Sequence, residues 1–87
     1  MTLRIVVNAG DDGTTIRLIG RMRAEHIEPV RTEIAASRTP VALDLDEITL
    51  ADVDAVRFLV VAEREGIALR HCAPFIREWM VREMNQD

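Results

Sequence analysis

The hydrophobic period of this chain switches from two residues to about 3.6 and back along its length, and prolines, a capping residue and a glycine mark the switches. "LRIVVNA" (Leu3–Ala9) is rich in β-branched residues, which suit a half-buried strand. "GDDG" (Gly10–Gly13) supplies the Asp and Gly of a tight turn, and "TTIRLIG" (Thr14–Gly20) alternates, with Ile16, Leu18 and Gly20 opposite Arg17 and Ile19. The two runs predict an antiparallel hairpin. In "RMRAEHIEPVRTEIAAS" the period changes: Ile27, Val30 and Ile34 form one helical stripe. Pro29 fits only in a first turn, so this helix starts near Ile27 or Glu28, and "RTP" ends it.

"VALDL" (Val41–Leu45) reads as a central strand and "DEITLA" as the loop after it. Asp52 is placed as an N-cap, Val53 to Glu65 as a helix, and Gly66 as its terminating glycine. "IALRHC" (Ile67–Cys72) reads as a strand, and Pro74 opens a last helix with the stripe Ile76, Trp79, Met80 and Met84. The order β-β-α-β-α-β-α predicts an α/β fold: a mixed four-stranded sheet with about three helices and one antiparallel edge. With 87 residues, a single domain spanning 1–87 is expected. A domain of this size hides only roughly 60–65% of its unfolded surface. An uncovered sheet edge or apolar helix face could then be hidden by pairing, so a homodimer is an expectation too.

Composition excludes several functions. The net charge is −4, which argues against non-specific nucleic-acid binding and against an anionic membrane surface. All 11 basic residues are arginine, so neither a Schiff-base lysine nor a phosphate-loop lysine is present. The one cysteine, Cys72, has no internal disulfide partner, and a reducing cytoplasm is the expected location. No apolar run approaches the roughly 18–20 residues of a membrane span, and the N-terminal apolar patch lacks the form of a signal peptide.

Five acidic residues, Asp44, Asp46, Glu47, Asp52 and Asp54, crowd into "DLDEITLADVD". "LDLDEI" after an apolar strand resembles the opening motif of haloacid-dehalogenase-type phosphotransferases, in which one Asp attacks phosphate beside Mg²⁺. Ile48 stands where that motif has Thr or Val, and the plainer reading is that Asp44 and Asp46 end a strand and face water. Metal binding by His26, His71 and Cys72 is not expected. On a strand, His71 and Cys72 point to opposite faces, and His26 has no ligand spacing to either. Neither a metal nor a cofactor is expected. Trp79 and Phe75 read as core aromatics, with Trp79 as an alternative anchor for a partner.

Taken together, these pieces resemble a STAS domain, the fold of sulfate-transporter tails and of bacterial anti-sigma-factor antagonists. "IRLIGRM" resembles the family's second strand, "EPVRTEI" its first helix with an early proline, and "VALDLDEITLADVDAV" its signature. "EGIALRHCAPFIREWM" resembles the fourth strand, proline and following helix. The resemblance covers nearly the whole chain. It implies a non-catalytic, protein-binding regulatory domain. In antagonist members a serine at a helix N-terminus is phosphorylated by a kinase that is also the anti-sigma factor, and the unphosphorylated form binds that kinase.

Matched residue by residue, Asp52 takes the place of the family's aspartate, Val53 of the first serine, Asp54 of the phospho-acceptor and Ala55 of the glycine. No hydroxyl stands at the acceptor position, and the nearest is Thr49. Asp54 therefore offers one fixed charge where the family toggles about −1.5 to −2. It could mimic the phosphorylated state, meet a partner that recognises a carboxylate, or favour the helix start by about 0.3–1 kcal/mol. The resemblance points to Asp52, Val53, Asp54, Ala55 and Arg57 as partner-binding residues. The partner implied is an anti-sigma factor of the serine-kinase kind. The alternative is a transporter ATPase, with this chain as an accessory STAS subunit of a bacterial lipid-transport complex.

Overall fold

In a computed structural model, residues 3–85 are described, and they form a four-stranded sheet with helices in the order β-β-α-β-α-β-α. The strands are β1 (Leu3–Gly10), β2 (Gly13–Met22), β3 (Val41–Ala51) and β4 (Ala68–Arg70). The helices are α1 (Ile27–Ala36), α2 (Val53–Arg64) and α3 (Pro74–Met84), with a 3₁₀ turn at Ala24–His26 before α1. The sheet runs β1-β2-β3-β4, antiparallel between β1 and β2 and parallel thereafter.

Local chemistry sets most of these boundaries. The hairpin closes at the Gly10–Gly13 pair around Asp11 and Asp12. Along β2, Thr14, Ile16 and Leu18 are buried while Thr15, Arg17 and Ile19 are half-exposed, the alternation of a strand covered on one face. Pro29 lies in the first turn of α1 and Pro74 opens α3, where a missing N–H costs nothing. Helix α2 ends in a Schellman motif. The Ile67 N–H donates to the Ala62 carbonyl and the Gly66 N–H to that of Glu63, each at 3.1 Å, and Gly66 takes φ +97°.

The core lies between the sheet and the helices: Ile16, Leu18, Leu43 and Leu45 meet Val30, Val56, Leu59, Ile76 and Met80, all fully buried. Burying each such side chain contributes about 1.5–3 kcal/mol, so this cluster is what fixes α2 against the sheet. Trp79 and Met84 are partly buried against it, whereas Phe75 is 47% exposed and lies outside the core expected for it. The Arg31 guanidinium sits over Phe58, 5.7 Å from the ring centre, joining α1 to α2.

Two expected boundaries move. The segment 46–51, read as a loop, continues β3 to Ala51. It escapes a period-two reading because the register to β2 shifts twice, between Arg17 and Ile19 and between Gly20 and Arg21. Each shift gives β3 one residue more than β2, as a bulge does. The buried residues Leu45, Ile48 and Ala51 therefore recur every third position. Side chains compensate the broken ladder: Asp44 Oδ1 accepts the Asp46 N–H at 3.1 Å, and Thr49 Oγ1 donates to the Gly20 carbonyl at 3.2 Å. The expected strand 67–72 shrinks to Ala68–Arg70, because His71 takes φ +57° and leaves the sheet. His71 and Cys72 are thus not strand neighbours on opposite faces.

Candidate functional site

The residues singled out by the signature cluster at the start of α2, where β3 delivers the chain to the helix. Asp52 is extended (φ −95°, ψ 177°) and caps the helix: its Oδ1 accepts the Ala55 N–H at 2.9 Å. Its other oxygen, Oδ2, accepts the Ala24 N–H, also at 2.9 Å, so one carboxylate ties α2 to the 3₁₀ turn before α1. The Asp52 N–H donates in turn to the Met22 carbonyl at the end of β2. Three chain segments are thereby fixed around the turn.

Val53 is half-buried, Ala55 fully buried, and Asp54 and Arg57 are exposed. Asp54 lies in the first helical turn, where the unpaired N–H groups and the helix dipole favour a negative charge. Arg57 is held from α3: its Nε donates to Glu83 Oε1 at 2.8 Å, while Glu83 Oε2 is 3.3 Å from Trp79 Nε1. Hydrogen bonding to Glu83, with a smaller contribution from Asp54, raises the guanidinium pKa above its ordinary value. The same hydrogen bond from Arg57, aided by Trp79 and opposed by desolvation, lowers that of Glu83.

Sequence reasoning placed the five turn residues together but missed Glu83 and the 3₁₀ turn, which lie 26 and 28 residues away from their partners. No local pattern announces such pairs.

The depressed Glu83 pKa gives a pH dependence of definite sign. A carboxylate bound more tightly in its charged form contributes stability above its unfolded pKa and loses it as pH falls through the lower folded value. Thermal midpoints followed by circular dichroism are expected to fall for the wild type below about pH 4.5, the ordinary glutamate value. The Glu83→Gln variant is expected to lose part of that decline, and an unchanged slope would separate Glu83 from it.

The other candidates are engaged elsewhere. Asp44 is pushed up by desolvation, but the Asp46 N–H, His71 and Arg17 outweigh this, leaving its pKa below the ordinary carboxylate value. His71 Nδ1 lies 3.1 Å from Asp44 Oδ1, and Asp46 is exposed on the bulge. His26 Nδ1 accepts the Arg23 N–H at 3.0 Å, a backbone-capping role. Among the described residues no three His, Cys, Asp or Glu side chains are grouped to hold a metal ion. No helix among them is long and apolar enough to cross a membrane.

A concavity of about 470 Å³ opens at the hairpin end, between Asn8, Asp12, Pro40 and Arg70. One of about 330 Å³ lies between α1 and α2, beside Ile34, Phe58 and Val61. The Asp52–Arg57 turn lines neither, apart from its distance of one residue to Phe58.

This sheet order, with helices after β2, β3 and β4, is a STAS-like α/β fold. No protein-family model matches the chain, and no curated protein sequence does. Among solved structures it is similar to the anti-sigma factor antagonist SpoIIAA in its unphosphorylated form. The TM-score is 0.72 at 15% sequence identity, over 93% of this chain and 81% of that one. A likeness at that identity establishes the fold.

Proposed function

We propose that this chain, as a single STAS-like domain over residues 1–87, is a non-catalytic regulator of the anti-sigma-factor-antagonist type. It binds a serine-kinase-type anti-sigma factor in a bacterial cytoplasm and so acts on transcription. The binding surface is the turn Asp52, Val53, Asp54, Ala55 and Arg57 with the exposed side of α2. The observation that carries this reading is the exposed Asp54 carboxylate in the first turn of a rigidly capped helix, on a fold similar to that of an anti-sigma factor antagonist. Asp54 replaces the toggled serine with a constant charge, so the partner meets one state of the surface and no phosphorylation switch operates there. A carboxylate at this place suits an arginine on the partner, a charge-assisted contact.

The test is affinity capture from lysate of the source cells with wild-type, Asp54→Ala and Asp54→Ser baits, followed by titration of the captured protein. A serine-kinase-type protein is expected, with affinity about tenfold weaker for Asp54→Ala, or about 1.4 kcal/mol. Tighter binding by Asp54→Ala would identify Asp54 as a stand-in for the phosphorylated state and overturn the contact reading. Capture of a transporter ATPase by all three baits would replace this function with that of an accessory subunit.

A further inference from the structure

The two edges of the sheet are unequal. β4 offers three residues, too few to template another strand, whereas β1 offers the eight residues Leu3–Gly10. Exposed edges are ordinarily blunted by proline, lysine, bulges or brevity. β1 has none of these, and its one charge is Arg4.

The ladder fixes which main-chain groups are free. Gly10 and Gly13 close the two-residue turn, and the Thr14 N–H points away from β1 to the Pro40 carbonyl at 3.0 Å. Antiparallel alternation then directs the main chain of Arg4, Val6 and Asn8 toward β2. The N–H and C=O groups of Leu3, Ile5, Val7 and Ala9 face the open edge. The side chains along it are apolar at the centre: Ile5 and Val6 are half-buried and Val7 is 41% exposed. The ends carry opposite charge. Arg4 lies at one end, with Arg21 just past Gly20, the β2 partner of Leu3. Neither arginine makes an ion pair among the described residues. The exposed Asp11 and Asp12 close the other end.

We infer that β1 is the interface of a homodimer, two copies pairing their β1 edges antiparallel about a two-fold axis at Val6. In this register Val6 faces Val6, Ile5 faces Val7 of the second copy, Leu3 faces Ala9 and Arg4 faces Asn8. No like charges oppose each other, and the free groups of Leu3, Ile5, Val7 and Ala9 meet their counterparts. Each acidic turn approaches the other copy's Arg4 and Arg21. The edge is complementary to itself in hydrogen bonding and charge, as an isologous contact requires. An unrelated acidic strand would satisfy the arginine end and be repelled at the aspartate end, so a second copy is the occupant that fits both. The surface is separate from the α2 turn, and the dimer does not depend on the function proposed for that turn.

Sedimentation velocity across a concentration series tests the assembly, and amide exchange locates it. The wild type is expected to dimerise, with the Ile5, Val7 and Ala9 amides becoming protected as concentration rises. The Arg4, Val6 and Asn8 amides are expected to be protected throughout. Val7→Pro removes an outward N–H and leaves the β1–β2 ladder intact, so it is expected to weaken dimerisation at least about tenfold. Arg4→Glu together with Arg21→Glu is expected to weaken it likewise, and adding Asp11→Arg and Asp12→Arg is expected to restore it. Should Val7→Pro fail to fold by circular dichroism, the charge reversal and its rescue decide alone. A wild type that stays monomeric at about 1 mM overturns the inference. So does a dimer indifferent to these changes, because it uses another surface.

Discussion

Gly13→Ala is expected to destabilise the domain by about 3 kcal/mol, read as a fall in the urea midpoint with an unchanged slope. Gly13 follows the hairpin turn with φ +126°, a conformation side chains rarely adopt. A Cβ added there would collide with the Pro40 carbonyl oxygen and press on the proline ring. That oxygen cannot withdraw freely, because it accepts the Thr14 N–H at 3.0 Å, and Thr14 Oγ1 also donates to the Arg38 carbonyl at 2.9 Å. Thr14 is itself buried, so separating these groups would leave polar atoms unpaired beside the core. Gly66→Ala is the matched control. Its φ is +97°, but nothing lies within 4 Å of the added Cβ, so only the conformational cost of about 1 kcal/mol is expected. Equal losses for the two would mean that the approach of Pro40 contributes nothing.

The contrast between these glycines parallels what the sequence could and could not disclose. Gly66, Pro29, Pro74 and Asp52 act within one helical turn of their own position, so residue type and local period sufficed to place α1, α2 and α3. Ile16 and Leu18 alternate as a half-covered strand does, and β2 was legible for that reason. The continuation of β3 was not. Its two bulges space Leu45, Ile48 and Ala51 by three, and polar side chains replace the ladder bonds there, so a strand carries the composition of a loop. The turn at His71 is held by Asp44, 27 residues earlier, and no neighbour in sequence foretells it. At the α2 turn the cap was legible and its setting was not: Asp52 reaches Ala24, and Arg57 is held by Glu83 from α3. Local signals placed the cap and start of α2, while the contacts that orient this turn come from remote segments that only folding brings near.

Asp52→Ala is expected to cost about 2 kcal/mol, because two backbone N–H groups lose their acceptor at once. The Ala55 N–H is one of the orphan donors of α2, and a cap of this kind is worth about 1 kcal/mol. The Ala24 N–H begins the 3₁₀ turn and is more exposed, so water replaces part of its bond. For a domain of this length the loss corresponds to a midpoint shift of roughly 8–16 °C. Asp52→Asn separates the two contributions. Its amide oxygen can still accept the Ala55 N–H, but its NH₂ group cannot accept that of Ala24, so about half the loss is expected. Both variants leave Asp54 and Arg57 in the chain while loosening the frame that presents them. If the α2 turn is the partner surface, Asp52→Asn should weaken binding while the helix remains capped, with faster exchange of the Ala24 amide as the accompanying signature. Loss of stability without that exchange change would mean that Asp52 acts on α2 alone, and the link between the 3₁₀ turn and the binding surface would fall.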